Sequence, residues 1–239
     1  MYKFFSQHED IIAGMSTKND GNMKLKGDYS TKEALKNRKE FCEQNNIKYE
    51  DVVSACVEHT TNVAVVNKNS DKNIDKTDAL VTSKKNTYLS VTSADCYPVF
   101  MYDNHNDVIG IAHAGWRGIV NDIVPRTLNV MLGEGAQLEN IKVTIGPGIS
   151  KEYFDFGFEE LISEFGFYNQ DKYVIKGSTI EKVKIDLRQI IFDQSEIFGI
   201  NEANMHDCGL CTFADNSNFY SARRDGADFN VMMSVIGMK

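Results

Sequence analysis

The segment His113-Ala-Gly-Trp-Arg-Gly118 follows the apolar run Val108–Ala112 and leads into glycine-framed sequence that predicts a helix start. A second reactive segment, Ala94-Asp-Cys-Tyr-Pro-Val99, closes an earlier apolar run. Both runs are short and rich in β-branched residues, which is typical of buried strands. We expect two adjacent strands that present the thiol of Cys96 and the imidazole of His113 at neighbouring ends. A thiol, an imidazole and a helix start together predict a metal site, an anion site, or both.

The composition predicts one globular domain over residues 1–239. Hydrophobic residues make up 42% of the chain and charged residues 25%, values that are ordinary for a folded enzyme. The net charge of -8 and the pI near 5.2 argue against a nucleic-acid partner, which usually meets a basic face. Local basic pockets at Arg117 or Arg223-Arg224 remain compatible with this charge.

The start of the sequence and the number of cysteines bear on the cellular location of the protein and on disulfide formation. The start of the chain shows no secretory signal pattern, and no apolar run approaches the length of a membrane span. Five cysteines are an odd number in such a chain, so a disulfide framework is not expected. We therefore expect a cytoplasmic protein without a membrane partner. The oligomeric state is left open.

Apolar periodicity predicts strands and helices along the whole chain. We expect helices from the Ser30–Glu33 capping box to about Gln44, from Gly118 to Leu132, over Glu159–Phe165, and from Asp186 to a cap at Gly199. Pro125 predicts a kink or a break in the second of these helices. We expect strands at Val52–Val57, Val63–Val66, Ala79–Thr82, Leu89–Thr92, Val99–Tyr102, Val108–Ala112, Ile141–Ile145, Tyr220–Ser221 and Val231–Ile236, and a solvated loop at Asn67–Lys76.

The two reactive segments are similar to the signature of the laccase-domain (YfiH-type) family. Other segments resemble that family in the same order along nearly the whole chain. They are Val57-Glu-His59-Thr-Thr-Asn-Val63, Asp78-Ala-Leu-Val-Thr82, Ile145-Gly-Pro-Gly-Ile149, Ile185-Asp-Leu187, Cys211-Thr212 and Phe219-Tyr-Ser-Ala-Arg-Arg-Asp-Gly226. The resemblance implies a fold of two mixed β-sheets packed together and covered by helices, an αββα sandwich. Periodicity alone indicates only α with β.

The resemblance also implies a metal site formed by His59, Cys96 and His113. Two imidazoles and a thiolate suit Zn²⁺, and three protein ligands leave a fourth position open, as in catalytic zinc sites. Copper is a second candidate metal. Taken singly, a histidine or cysteine on a strand is more typically a core residue, and the sequence distances between the three are too long to identify a zinc site. Cys208-Gly-Leu-Cys211 is an alternative metal or redox pair, although packed thiols near a turn are the simpler interpretation.

Five further residues are candidates for catalysis or substrate binding. Arg117 can bind phosphate or a ligand hydroxyl beside the metal, or it can pair with an acidic neighbour such as Asp122. Trp116, the only tryptophan, can lie against a purine or pack beneath the loop. Asp95 can serve as a base or orient a ligand, or it can be a turn aspartate that accepts amide hydrogen bonds. The substrate candidates near the C-terminus are Arg223 and Arg224, which can equally form a self-paired turn with their neighbouring aspartate.

Several functions compete for these residues. The resemblance implies a zinc-dependent purine nucleoside enzyme, which performs phosphorolysis of adenosine, inosine and methylthioadenosine and deaminates adenosine; its partners are a small nucleoside and phosphate. It also implies an alternative, a zinc amidase that edits peptidoglycan precursors. A copper-dependent polyphenol oxidase needs a histidine-lined copper cluster, which five histidines do not supply. The remaining candidates are a non-enzymatic metal-binding protein and a cysteine hydrolase that pairs Cys96 with His113.

The chain departs from the family pattern at three places. Asp228-Phe229-Asn230 replaces the usual Thr-Gly-Arg, so that arginine is absent. Val57 stands where a glutamine usually precedes the first histidine, and the N-terminal Asn-Leu-Gly segment is unrecognisable around Met23–Gly27. These differences bear on substrate preference and rate more than on the metal ligands.

Overall fold

Two six-stranded β-sheets pack face to face and are flanked by helices. The computed structural model describes residues 1–26, 29–30, 32–157, 159, 163–164, 170–179 and 181–239. The first sheet has the order β1 (Tyr2–Phe4), β2 (Ile11–Met15), β17 (Met232–Met238), β9 (Thr87–Ser93), β5 (Val52–Ala55) and β7 (Asn73–Ile74). The second has the order β16 (Met205–Asp207), β12 (Ile141–Ile145), β10 (Tyr97–Asp103), β11 (Val108–Ala114), β8 (Ala79–Thr82) and β6 (Val63–Val65).

The helices lie on the two outer faces and at the ends of the sheets. They are α1 (Lys32–Gln44), α2 (Trp116–Val120), α3 (Ile123–Gly133), Gln170–Tyr173, Leu187–Phe198 and Ala222–Asp225. The smaller strands are β3 (Leu25–Lys26), which pairs with β4 (Tyr29–Ser30), and β15 (Lys182–Ile185), which pairs with β13 (Asp155–Gly157) and β14 (Val174–Lys176). Short 3-10 turns lie at Lys18–Asp20, Tyr49–Asp51, Leu138–Asn140 and Glu202–Asn204. Within the described ranges, no helix is long and apolar enough to cross a membrane.

Alternation along the central strands produces the layers. In β11, Ile109 and Ile111 pack into the core between the two sheets, whereas Val108 and Ala112 pack toward the helices. Successive strand residues point to opposite faces, so His113 shares the inward face of Ile111. On the outer face of the first sheet, Phe41 of α1 packs in a third apolar cluster. The αββα sandwich implied by the resemblance is therefore confirmed.

The helix predicted from Gly118 to Leu132 is divided into two helices, α2 and α3, in agreement with the predicted break. However, the break lies at Asn121 and Asp122, where Asp122 adopts left-handed backbone angles with φ 65. Pro125 lies in the first turn of α3, where its missing N–H removes no intrahelical hydrogen bond. Pro125 therefore helps to start the second helix and does not kink the first.

The strands that precede Cys96 and His113 are not neighbours in one sheet, contrary to the prediction. The strand before Cys96 is β9 of the first sheet, and His113 lies in β11 of the second sheet. Within its own sheet, β11 pairs with β10, in the register Pro98 opposite His113. Cys96 immediately precedes β10, so the thiol reaches the imidazole because the chain crosses between the sheets at this point.

Other local predictions had mixed outcomes. Asp186 caps its helix by accepting a hydrogen bond from the Gln189 amide, and Gly199 ends that helix with φ 112, both as expected. The predicted strand Tyr220–Ser221 is wrong, because Ser221 instead caps the helix Ala222–Asp225. The Asn67–Lys76 loop contains the short strand β7. The capping box Ser30–Glu33 and the predicted helix Glu159–Phe165 lie partly outside the described residues.

Candidate metal centre

His59, Cys96 and His113 converge at one end of the sandwich. Their ligand atoms all lie within 4.8 Å of one another, and Cys96 Sγ lies 3.8 Å from His59 Nε2. The two imidazole rings are nearly perpendicular, with centroids 5.1 Å apart. His59 is exposed, Cys96 is half-buried and His113 is buried, so the cluster opens to solvent on the His59 side. The three residues therefore form a candidate ligand set with an accessible face.

One imidazole is already oriented for metal binding. His113 Nδ1 lies 2.8 Å from the carbonyl oxygen of Thr92, across the gap between the sheets. A carbonyl only accepts hydrogen bonds, so Nδ1 carries the proton and Nε2 presents a lone pair. This Nε2 is buried and has no hydrogen-bond partner among the described residues. Burial, and then the neighbouring His59, lower the pKa of His113, which keeps the ring neutral as a metal ligand requires.

The thiol completes the donor set. Burial, with the Asp95 and Asp78 carboxylates adding to it, raises the pKa of Cys96 to about 12. A metal ion binds the thiolate and so releases this proton on binding. Two nitrogens and one sulfur at these mutual distances fit a tetrahedral zinc site with one position left open.

Gly115 leaves the space that the three ligands share. A Cβ at this position would lie 2.9 Å from His59 Cδ2, 3.0 Å from Cys96 Sγ and 3.6 Å from His113 Nε2. The first two distances are shorter than almost all real Cβ contacts, whereas the third is ordinary, so any side chain here would displace His59 or Cys96. The glycine that opens the sequence Gly-Trp-Arg-Gly is therefore part of the site.

Gly115→Ala is expected to weaken zinc binding by about ten- to hundredfold, the range seen when the surroundings of metal ligands are disturbed. Zinc titration against a chelator would measure it. Gly133→Ala is the matched control, because a Cβ there meets no atom within 4 Å. Equal zinc affinity in the two variants would contradict the close approach at Gly115.

Asp78 supports both histidines, and the sequence analysis missed this role. Its buried carboxylate accepts hydrogen bonds from the backbone amides of Glu58 (3.2 Å), His59 (3.0 Å) and Thr60 (2.7 Å), and from the Thr60 hydroxyl. Its carbonyl oxygen accepts the backbone amide of His113 at 2.7 Å. His59 has left-handed backbone angles, with φ 58, so the loop needs such support. The only signal in the sequence was an acidic residue directly before an apolar run, in Asp78-Ala-Leu-Val-Thr82.

Asp95 joins the Cys96 turn to the C-terminal segment. Its carboxylate accepts hydrogen bonds from the hydroxyls of Thr212 (2.7 Å) and Ser221 (3.0 Å) and from the Arg223 amide (2.7 Å). Asp95 itself has φ 82, a conformation that needs such contacts in a residue other than glycine. All three donors lie more than a hundred positions further along the chain, so these contacts are not those of a turn aspartate that accepts the amides following it. They are compatible with the other interpretation, in which Asp95 orients Cys96. Its function as a base stays a prediction.

Trp116 and Arg117 form a pair just beyond Gly115. The Arg117 guanidinium lies over the Trp116 ring, 4.2 Å from its centroid, and the Phe156 ring meets Trp116 edge-on with the two centroids 5.0 Å apart. Arg117 is exposed. Asp122, the acidic partner considered for it, instead accepts a hydrogen bond from Gln194. The aromatic ring and the cation thus follow directly after Gly115, which lies against the candidate ligands.

The two C-terminal arginines have different surroundings. Arg223 donates from Nη1 to the Asp155 carbonyl at 3.0 Å, and its guanidinium lies over the Phe154 ring. Arg224 uses all three guanidinium nitrogens in hydrogen bonds to backbone carbonyls and to its neighbour, at Thr212, Phe213, Phe219 and Asp225. Arg224 therefore holds the C-terminal turn together, and its role in substrate binding stays a prediction that this geometry does not favour.

The cysteines outside the cluster are free thiols. Cys211 Sγ accepts a hydrogen bond from the Ser150 amide at 3.3 Å, which is a packing role. The cluster of His59, Cys96 and His113 is the one group of three or more potential metal ligands found within the described part of the chain.

The fold and the site together define an αββα protein with a two-histidine, one-cysteine cluster that could hold a metal ion. Comparison with known families gives a match over residues 5–239 to the model described as multi-copper polyphenol oxidoreductase laccase. The chain belongs to this family, so the resemblance found in the sequence is confirmed.

Similar proteins within this family carry enzyme names. A purine nucleoside phosphorylase of Clostridium acetobutylicum is 34% identical, over 72% of this chain and 71% of that protein. An adenosine deaminase from an unknown prokaryotic organism is 28% identical, over 77% of this chain and 73% of its own length. Among solved structures, a hypothetical protein YfiH of Bacillus licheniformis is similar with a TM-score of 0.88 at 26% identity, covering 96% of this chain and 93% of that one.

Proposed function

We propose that the protein is a zinc-dependent purine nucleoside enzyme that catalyses phosphorolysis of adenosine, inosine and methylthioadenosine and also deaminates adenosine. The observation that carries the proposal is the ligand cluster with its open face, in a family whose similar members are named purine nucleoside phosphorylase and adenosine deaminase. Both reactions act on one substrate, a purine nucleoside, so one pocket beside the cluster can serve both.

Zinc would be held by His59, by the Cys96 thiolate and by Nε2 of His113. When bound with an open coordination position, zinc supplies Lewis-acid chemistry and lowers the pKa of coordinated water. The Thr92 carbonyl fixes the tautomer of His113, and Asp78 fixes the loop that carries His59. Such supporting contacts set ligand orientation and metal affinity.

In this proposal Trp116 and Arg117, which follow Gly115, contact the substrate. The exposed guanidinium over the indole offers a planar cation on which a purine can stack, or which can hydrogen-bond to a nucleoside hydroxyl. Arg223 lies on the C-terminal segment that Asp95 ties to the Cys96 turn, and is a second candidate. Asp95 acts in this proposal as a positioning residue for Cys96.

The copper oxidase named by the family model is not favoured by this chain's residues. A multicopper oxidase needs a histidine-lined trinuclear cluster besides a mononuclear site. The chain has five histidines, and two of them lie in the cluster. In the described residues His8 instead contacts Lys142 and Tyr102, away from the cluster. A mononuclear ligand set is the better fit.

The reaction is tested with purified zinc-loaded protein and a panel of nucleosides. Release of hypoxanthine from inosine and of adenine from adenosine and methylthioadenosine should require phosphate, whereas conversion of adenosine to inosine should not. Chromatography of the products would measure both reactions. If neither purine reaction occurs and an alanyl amide of a muropeptide precursor is cleaved, the amidase alternative replaces this proposal. A hydrolase that uses Cys96 as nucleophile would instead be active without metal.

A further inference from the structure

The two sheets of the sandwich do not end together on the side of β1 and β16. The Phe4 ring of β1 packs on the Phe100 ring of β10, with the centroids 4.7 Å apart. In the second sheet β12 and β16 follow β10, so this sheet extends past the edge of the first. A groove of about 510 Å³ lies in this step, lined by β1 on one side and by residues of β12 and β16 on the other. The groove therefore lies where a further strand of the first sheet would pair with β1.

The floor of the groove is the inner face of β12 and β16. On β12, Val143 and Ile145 pack toward the helices. Because successive strand residues point to opposite faces, Lys142 and Thr144 face the groove. His206 lies opposite Thr144 in the parallel pair of β12 and β16, so it shares that face. The floor is thus polar and carries a cation.

Two lysines at the groove have no acidic partner among the residues that the structure describes. On the floor, Lys142 Nζ donates to Nε2 of His8 at 3.0 Å. Burial, and then Lys142, lower the pKa of His8, so this ring stays a neutral acceptor. Lys3, at the centre of β1, is exposed, and Asp207, the one carboxylate in the described lining, is paired with Arg188 at 3.0 Å. The groove is therefore positively charged, in a chain whose net charge is -8.

The wall of the groove is an open strand edge. β1 is the last strand of its sheet within the described residues. An edge strand presents unpaired N–H and C=O groups, to which an extended chain can add. Tyr2 and Phe4 share the inner face of β1, with their rings 5.4 Å apart, and Lys3 points to the outer face. A strand added to β1 would thus lie over Lys142 on one face and beside Lys3 on the other.

We propose that this groove binds an acidic peptide segment in extended conformation, which adds to β1 as a further strand of the first sheet. Backbone hydrogen bonds to β1 give affinity, and carboxylates that face Lys142 and Lys3 give specificity. A second copy of this chain does not fit, because antiparallel pairing of two β1 strands about Lys3 sets two ammonium groups opposite each other. The inference is independent of the purine reaction, since the groove is lined by none of the candidate metal ligands.

Fluorescence anisotropy of a labelled peptide of Val-Glu-Glu repeats, added to the zinc-loaded full chain, tests the proposal. In an extended strand these repeats place glutamates on both faces. The peptide should bind saturably, whereas a peptide of Val-Lys-Lys repeats should not bind. Lys142→Glu should weaken binding of the acidic peptide at least about tenfold, since a repulsive charge replaces an attractive one. Lys142→Met should weaken it about threefold, as the loss of one exposed ion pair implies.

Lys36→Glu is the matched control for the charge change. Lys36 is an exposed lysine of α1 that does not line the groove. The substitution alters the net charge as Lys142→Glu does, and it should change the affinity by less than about twofold because distant surface charges are screened.

The same acidic peptide with methylated backbone amides separates strand addition from charge attraction. It keeps every carboxylate and cannot donate backbone hydrogen bonds to β1, so it should bind at least about tenfold more weakly. Amide hydrogen exchange at Tyr2–Phe4 should slow with the unmodified peptide and stay unchanged with the methylated one. These two measurements use the wild-type chain, and they decide the question if Lys142→Glu does not fold.

Three results would overturn the proposal. Absence of saturable binding by the wild-type chain would leave β1 as a short edge strand that Lys3 protects from association. Equal affinity of the methylated and unmodified peptides, or equal affinity of Lys142→Glu and Lys36→Glu, would mean that no strand is added over Lys142. Full displacement of the peptide by an equal concentration of free glutamate would show a small-anion site in place of a peptide groove.

Discussion

Cys96→Ala and His113→Ala are expected to lose most of their bound metal and all measurable turnover. Wild-type protein, purified without chelator or added copper, should carry roughly one zinc per chain, bound by two nitrogens and one sulfur. Each substitution removes one of three protein ligands whose donor atoms already lie within 4.8 Å of one another. Mass spectrometry of the metal content and X-ray absorption at the zinc edge would measure the loss and the ligand set.

Controls for this experiment exist within the same chain. Cys208→Ala removes a free, half-buried thiol outside the cluster, and His105→Ala removes an imidazole outside it. Both variants should retain zinc. Full zinc retention in His59→Ala, Cys96→Ala and His113→Ala would rule out this cluster as the metal site. Stoichiometric copper in place of zinc, with the same ligand dependence, would keep the site and change the metal.

The sequence predicted the elements of the sandwich well, because its buried strands are short and rich in β-branched residues. The bounds of β8 and β12 and the caps of the helix Leu187–Phe198 agree with their predictions. The order of the strands within the sheets could not be predicted in this way. Alternation reports which residues are buried and does not report which strand lies alongside. The sequence therefore predicts Cys96 and His113 at the ends of neighbouring strands, whereas in the structure the strands that precede them, β9 and β11, belong to different sheets.

Supporting residues were harder to find than the ligands. Asp78 and Asp95 are polar residues beside apolar segments, and a local pattern does not reveal which distant groups they contact. Asp95 contacts Thr212 and Ser221, which lie more than a hundred positions further along the chain. Likewise, the sequence does not show that Arg224 donates hydrogen bonds to the backbone carbonyls of Thr212, Phe213 and Phe219. Long-range hydrogen bonds decide these roles, and only the folded chain shows them.

Asp78 gives the sharpest test of such a supporting role. One oxygen of its buried carboxylate accepts the His59 amide, and the other accepts the amides of Glu58 and Thr60 and the Thr60 hydroxyl. In Asp78→Asn an NH₂ group must replace one of these oxygens and face a donor. The least unfavourable orientation keeps the oxygen on the Thr60 side and turns the NH₂ toward the His59 amide. The substitution therefore disturbs the backbone of a metal ligand.

Asp78→Asn is expected to lower the free energy of unfolding by about 1–3 kcal/mol, the effect of leaving a buried donor unpaired. Zinc affinity should fall by about ten- to hundredfold, because His59 loses its fixed position. Chemical denaturation of the metal-free protein would measure the first effect, and competition with a chelator would measure the second. Turnover at saturating zinc should recover in part, since the ligands themselves remain.

Asp103→Asn separates the two effects, because Asp103 is an equally buried carboxylate at the opposite end of β10. Its oxygens accept the amides of His105, Asn106 and Gln137 and the Asn106 side chain. The same chemical change there should destabilise the fold by a similar amount and leave zinc affinity at the wild-type value. Equal loss of zinc affinity in both variants would mean that general destabilisation, and not the hold of Asp78 on His59, weakens the site. Unchanged zinc affinity in Asp78→Asn would show that the His59 loop keeps its conformation without the carboxylate.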